Sequence, residues 1–165
     1  MEDVAIRLAE PRDAFAVAAL TLQDDRECGA AVAPGFLDTF ADAWLADRAR
    51  VTLLAEAVDG RPLGVVTAAV VTKLPSSRRP VSRWLHVSLL FVTADARGGG
   101  LGARLLDALR EWCSQNDVQR VQLNAAPRAR SLYVRAGFGA PADGLMEWRA
   151  DERVEQRADQ RPDQT

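Results

Sequence analysis

Of the 165 residues only two are cysteine, one is histidine and one is tyrosine. Cys28 and Cys113 stand far apart and cannot staple a small secreted scaffold, so they are expected as reduced thiols of a cytoplasmic protein. A single histidine excludes a His-rich zinc site, and the cysteines lack metal-ligand spacing, so no metal is expected. No apolar run approaches the ~20 residues that a membrane helix needs. The first residues lack a basic patch followed by an apolar stretch, so no signal peptide is expected. Basic excess is missing too. A net charge of −2 argues against nucleic acid, whose binders draw affinity from clustered cations.

What remains is ordinary globular composition, 48% hydrophobic and 27% charged. The length suits one domain, expected over residues 1–150, large enough to fold without disulfides or metal. From Asp151 the chain reads DERVEQRADQRPDQT, with Val154 its one large apolar residue. Such a segment buries too little to offset its ordering entropy, and a flexible tail is expected over 151–165.

Periodicity sets the element order. Val4 to Leu8 alternates as a strand. Pro11 opens a helix with Phe15, Ala18, Ala19 and Leu22 as its stripe, broken by DDRECGA at 24–30. A second helix begins near Pro34, with Phe36, Phe40, Ala43, Trp44 and Ala46 at helical spacing. Val51 to Val58 and Leu63 to Val71 read as strands joined at Asp59-Gly60. A polar loop, 73–83, leads to the almost wholly apolar strand Trp84 to Val92. A helix carrying Leu101, Leu105, Leu109 and Trp112 follows. Then come strand Val118 to Asn124, short helix Arg128 to Arg135, and a last strand, Leu145 to Trp148. This order describes an α/β fold: a mixed, mostly antiparallel sheet of about six or seven strands with about four helices.

Between the apolar strand and the long helix lies RGGGLG, residues 97–102. A glycine-rich turn at a helix start aims several backbone N–H groups at one spot, where the helix dipole favours a phosphate. A nucleotide P-loop needs Lys and Ser/Thr after its last glycine; Ala103 and Arg104 stand there instead. Gly98, Gly100 and Ala103 fit the loose dinucleotide pattern, but the next strand ends in Leu123-Asn124 without the ribose-binding acid. A merely connecting turn does not require four glycines in five positions, 98–102.

The segment 85–138 resembles the GNAT acetyltransferase family. Val92-Thr93-Ala94-Asp95-Ala96-Arg97-Gly98-Gly99-Gly100-Leu101-Gly102 is similar to that family's acyl-CoA motif, R-x-x-G-x-G after a strand-ending valine. Asn124-Ala125-Ala126-Pro127, Ser131-Leu132-Tyr133 and Ala136-Gly137-Phe138 resemble its downstream half. The resemblance implies acetyl-CoA as co-substrate and acetyl transfer to a primary amine of a small molecule or peptide, by direct attack in a ternary complex. A non-catalytic acyl-CoA-binding sensor of the same fold is the alternative. The implied cofactor-binding residues are Phe91, Val92, Arg97, Gly98, Gly99, Gly100, Gly102, Ala103 and Asn124. Phe91 and Val92 would pair with the pantetheine arm, and the Val92 N–H would polarise the thioester carbonyl. Tyr133 is the expected acid toward the departing thiolate, against the plainer reading of a core tyrosine. His86 stands six residues before Val92, where many members carry glutamate, and is the candidate base; a hydrogen-bonded structural histidine is the plainer alternative. Simple strand alternation places His86, Ser88, Leu90 and Val92 on one face. A homodimer is possible in this family.

For the acceptor the charges conflict. Asp24, Asp25, Glu27, Asp38 and Asp42 could attract a cationic amine, or form a solvated face. Lys73, Arg78, Arg79 and Arg83 in the loop would favour an anion, on the acceptor or on CoA.

Overall fold

Adjacent residues of the central strands are buried on opposite faces, which is why those strands read as continuous apolar runs. The computed structural model describes residues 4–78, 80–141 and 144–146. Strands β1 (Val4–Leu8), β2 (Arg50–Ala57), β3 (Pro62–Thr72), β4 (Arg83–Val92) and β5 (Val118–Leu123) form one sheet in that order. The first three junctions are antiparallel and β4–β5 is parallel. Helices α1 (Ala14–Glu27), α2 (Phe36–Ala46), α3 (Leu101–Gln115) and α4 (Arg130–Arg135) complete the mixed α/β architecture. The described residues hold five strands rather than six or seven. Leu145 and Met146 belong to no strand, while Trp148 and the expected tail lie outside the described residues.

One face of the sheet packs on α3: Leu53, Val66, Ala68 and Leu85 meet Leu101, Leu105 and Leu109. On the other face Leu54, Val65 and Phe91 meet Val17 and Leu20 of α1. Each such buried aliphatic side chain contributes roughly 1.5–3 kcal/mol of transfer free energy. The α1 stripe is turned from the expected one. Ala14, Val17, Ala18 and Leu20 are buried, while Phe15, one helical step from Ala14, is 57% exposed. The helix also continues through Asp24–Glu27, where a break was expected. The indole N–H of Trp44 donates to Thr52 Oγ1 (3.0 Å), which pins α2 to this face.

The detail that positions the site is a bulge in β4. Thr67 pairs with Leu89, but the next residue, Ala68, pairs with Val87, so Ser88 is the extra residue. Its hydroxyl donates to the Thr67 carbonyl (3.2 Å). One inserted residue reverses the alternation. Before it, Leu85 and Val87 face α3; after it, Leu90 and Val92 do. His86 therefore shares a face with Leu89 and Phe91, the α1 side, and not with Leu90 and Val92 as simple alternation implies. The same place ends the parallel pairing: Val87↔Leu123 is the last pair, and the two strands separate beyond it.

Candidate active site

Where β4 and β5 separate, one edge of β4 is left open. Thr93 donates its N–H to Leu63 O across β3 (2.9 Å). Antiparallel pairing alternates every two residues, so Phe91 likewise turns its N–H and C=O to Val65. The backbone groups of Leu90 and Val92 then point to the open edge. Arg97 marks that direction, since its Nε donates to Val92 O (2.8 Å). Of the two residues expected to pair with a pantetheine arm, Val92 offers its backbone there and Phe91 does not. The Phe91 ring is buried under the Arg97 guanidinium, 5.4 Å from its centre.

The glycine turn follows. Gly98 (φ 83°) and Gly100 (φ 81°) adopt the left-handed conformation that strains other residues. Among the described residues, the N–H groups of Gly98, Gly99 and Gly100 find no acceptor. Those of Leu101, Gly102 and Ala103 open α3, where a helix leaves its first donors without an internal partner. Gly102 has a different role. A Cβ there would stand 3.3 Å from Leu132 Cδ2, so the missing side chain lets α4 lean on the first turn of α3. That contact brings Tyr133 toward the turn.

Tyr133 is held by its own motif. Gly137 (φ 86°) ends α4 in a left-handed residue, and the Phe138 N–H returns to Tyr133 O (2.9 Å). The Phe138 ring thereby meets the Tyr133 ring edge-on, with centres 5.7 Å apart. Tyr133 is 8% exposed. Burial raises its phenol pKa, and the Asp24 carboxylate raises it further by disfavouring phenolate. The group is held as a protonated donor.

Asp24 reaches this place because α1 ends here. Its last turn carries Asp24, Asp25 and Glu27, a charge sign that the helix dipole disfavours at a C-terminus. Two arginines offset it. Arg97 pairs with Glu27 (2.6 Å), and Arg128 approaches Asp24 (3.7 Å) and donates to Cys28 Sγ (3.3 Å). Burial raises the Asp24 pKa, opposed by Arg128. These partners are 70 to 104 residues apart in sequence, and no local pattern announces them. Asp38 and Asp42 lie on α2, away from this cluster in sequence and element.

His86 and Asn124 lie farther along. Both border a cavity of about 930 Å³ that runs beside β5, with Gln122, Arg120 and Phe138 also in its wall. Asn124 follows the last residue of β5, on the far side of the gap from Leu90 and Val92. The chain thus brings Val92, the glycine turn, Tyr133 and Asp24 to one end of the gap, with His86 on the α1 face before the bulge. Among the described residues, no group of His, Cys, Asp and Glu could hold a metal ion, and no helix is long and apolar enough to cross a membrane.

Residues 37–144 match the family described as the acetyltransferase (GNAT) domain. The chain belongs to the GNAT acetyltransferase family. Its mixed sheet, glycine turn and α4 tyrosine are accordingly parts of a GNAT fold. A predicted acetyltransferase from Clostridium acetobutylicum, crystallised with acetyl-CoA, superimposes with a TM-score of 0.75 at 18% identity, covering 91% of this chain and 98% of that one. Ribosomal-protein-alanine N-acetyltransferase from Brucella melitensis biovar Abortus 2308 gives 0.68 at 29% identity, covering 88% and 97%. Glucosamine-6-phosphate N-acetyltransferase from Arabidopsis thaliana gives 0.68 at 16% identity, covering 89% and 99%. No curated protein matches the sequence significantly. The GNAT assignment makes this chain an acetyltransferase.

Proposed function

We propose that this GNAT protein transfers an acetyl group from acetyl-CoA to a primary amine, by direct attack in a ternary complex. The observation that carries the reading is the junction of unpaired turn N–H groups with the open edge of β4 and a buried tyrosine. The donors from Gly98 to Ala103 suit the CoA pyrophosphate. The edge at Leu90 and Val92 suits the amides of a pantetheine arm, with the Val92 N–H near the thioester oxygen as an oxyanion donor. A structural neighbour crystallised with acetyl-CoA supports the choice of donor. Neighbours named for a protein alanine and for an amino sugar phosphate support an amine acceptor.

Chemistry then needs two proton movements. The attacking nitrogen must shed a proton, and His86, on the α1 face, is the group we assign to accept it, directly or through water. The nitrogen forms a bond to the acetyl carbon as the carbon–sulfur bond breaks, and Tyr133 donates to the departing sulfur. No covalent enzyme intermediate is needed, so Cys28 and Cys113 have no nucleophilic task; burial raises the Cys113 thiol pKa, which keeps it an unreactive thiol.

Calorimetry with acetyl-CoA, CoA, ATP and NADH tests the donor. Micromolar binding of the two CoA species, weakened at least tenfold by Gly100→Glu, is expected; absence of both would withdraw the reading. Binding without CoA release over a panel of amines would point instead to a non-catalytic acyl-CoA sensor. A pH–rate profile unchanged in His86→Ala would remove the base assignment.

A further inference from the structure

We propose, on the reading that this chain acetylates an amine, that Arg120 is an acceptor-specificity residue that selects amines bearing a carboxylate or phosphate group. On β5, Val121 and Leu123 pair with Leu85 and Val87, whose side chains face α3. Arg120 and Gln122 therefore lie on the opposite face, beside their partners Trp84 and His86. That is the face to which the Ser88 bulge assigns His86. The Arg120 guanidinium lies over the Trp84 ring, 5.1 Å from its centre. Stacking fixes the plane of the cation and leaves its N–H edges free to meet a planar oxyanion.

Two observations bear on this arginine. Arg7, Arg50, Arg61, Arg97, Arg110 and Arg128 each pair with a carboxylate. Of the described arginines that lack such a partner, Arg120 is the one that lines the cavity. The cavity that Arg120 shares with His86 is lined by Arg110 as well, and by no carboxylate among its described residues. Among the described residues, this cation and its cavity are thus short of negative charge. An acceptor oxyanion supplies it. Arg120 and His86 sit two residues apart along the sheet, about 7 Å, so a small or peptide acceptor can span from the anion site toward the amine site.

The full chain is assayed for CoA release from acetyl-CoA with three acceptors: a straight-chain alkylamine, the ω-amino carboxylate of equal length, and the corresponding aminoalkyl phosphonate. The native protein is expected to prefer at least one anionic acceptor by about 10- to 100-fold in kcat/KM, the range of a charge-assisted hydrogen bond, mostly through KM. The carboxylate and phosphonate arms tell which oxyanion is used. In Arg120→Gln the preference should fall toward one, and Arg120→Lys should keep part of it. Equal use of neutral and anionic amines by the native protein, or a preference undiminished in Arg120→Gln, overturns the proposal. If acetyl-CoA binds but no amine reacts, tryptophan fluorescence titrations with glutarate and with inorganic phosphate decide. Saturation by either anion that Arg120→Gln weakens about tenfold supports the site; no saturation, or saturation unchanged by the substitution, ends it. Loss of acetyl-CoA binding itself would strike the acyltransfer reading alone.

Discussion

A phenol helps a thiolate leave only while it carries its proton. Tyr133 is kept protonated by two influences, burial first and the Asp24 carboxylate second. Because it is the only tyrosine, its ionisation can be followed by ultraviolet absorbance without ambiguity. Asp24→Asn removes the repulsion that disfavours phenolate, so the Tyr133 pKa should fall while remaining above that of a free phenol, since burial persists. An unchanged titration would mean that Asp24 does not act on Tyr133. Tyr133→Phe keeps the ring against Phe138 and deletes only the hydroxyl. Turnover should drop about 100-fold, within the range of a lost general acid, with acetyl-CoA affinity little changed. Native turnover in that variant would leave Tyr133 a packing residue.

Two strand and turn details build the site, and they were unequally visible in the sequence. The glycine turn was legible because its chemistry is local: the left-handed backbone at Gly98 and Gly100 demands glycine where it stands, and Gly102 leaves room for Leu132. The bulge was not. Ser88 looks like any polar residue of a strand, and the register slip that it creates depends on β3, some twenty positions earlier. The face of His86 followed from that slip and was therefore misread. The arginine pairings with Asp24 and Glu27 were invisible for the same reason, since contacts over 70 to 104 residues leave no periodicity. Strand β3 offers a test of how tightly the site's framework is packed. A Cβ on Gly64 would stand 2.9 Å from the Phe91 carbonyl and 3.2 Å from Leu105 Cδ1. Backbone cannot yield cheaply there, so Gly64→Ala should destabilise the fold by about 1–3 kcal/mol, the usual range for overpacking. Urea unfolding measures it, and a midpoint equal to the native one would show that β3 and β4 part without cost. Because Val92 faces Gly64, acetyl-CoA affinity should weaken as well.

On the scale of the whole molecule, the outer edge of the sheet depends on one arginine. Arg7 on β1 takes Asp13 through two N–H groups (2.6 and 2.9 Å) and Glu56 of β2 through two more (2.8 and 2.7 Å). Asp13 also accepts the Glu10 N–H (2.7 Å), so the same carboxylate ties the start of α1 to the sheet. Since α1 carries Asp24 and Glu27 at its other end, this tether orients the helix whose last turn borders the candidate active site. The Arg7 hydrogen bonds lower the Asp13 pKa below its ordinary 3.8, against the opposing effect of burial. A carboxylate with a depressed folded pKa contributes stability that is fully present above the unfolded value and is lost as pH falls through the folded value. Asp13→Asn should therefore cost about 2 kcal/mol at neutral pH, typical of hydrogen bonds to a charged group. The deficit should begin to shrink below about pH 4, where Asp13 in the unfolded chain takes up a proton, and vanish as pH falls through the lower folded value. Thermal unfolding of both proteins across acidic and neutral pH measures this difference. A deficit constant with pH would assign the loss to packing at Asp13 rather than to its pairing with Arg7, and would leave the attachment of α1 to hydrophobic contacts at Val17 and Leu20 alone.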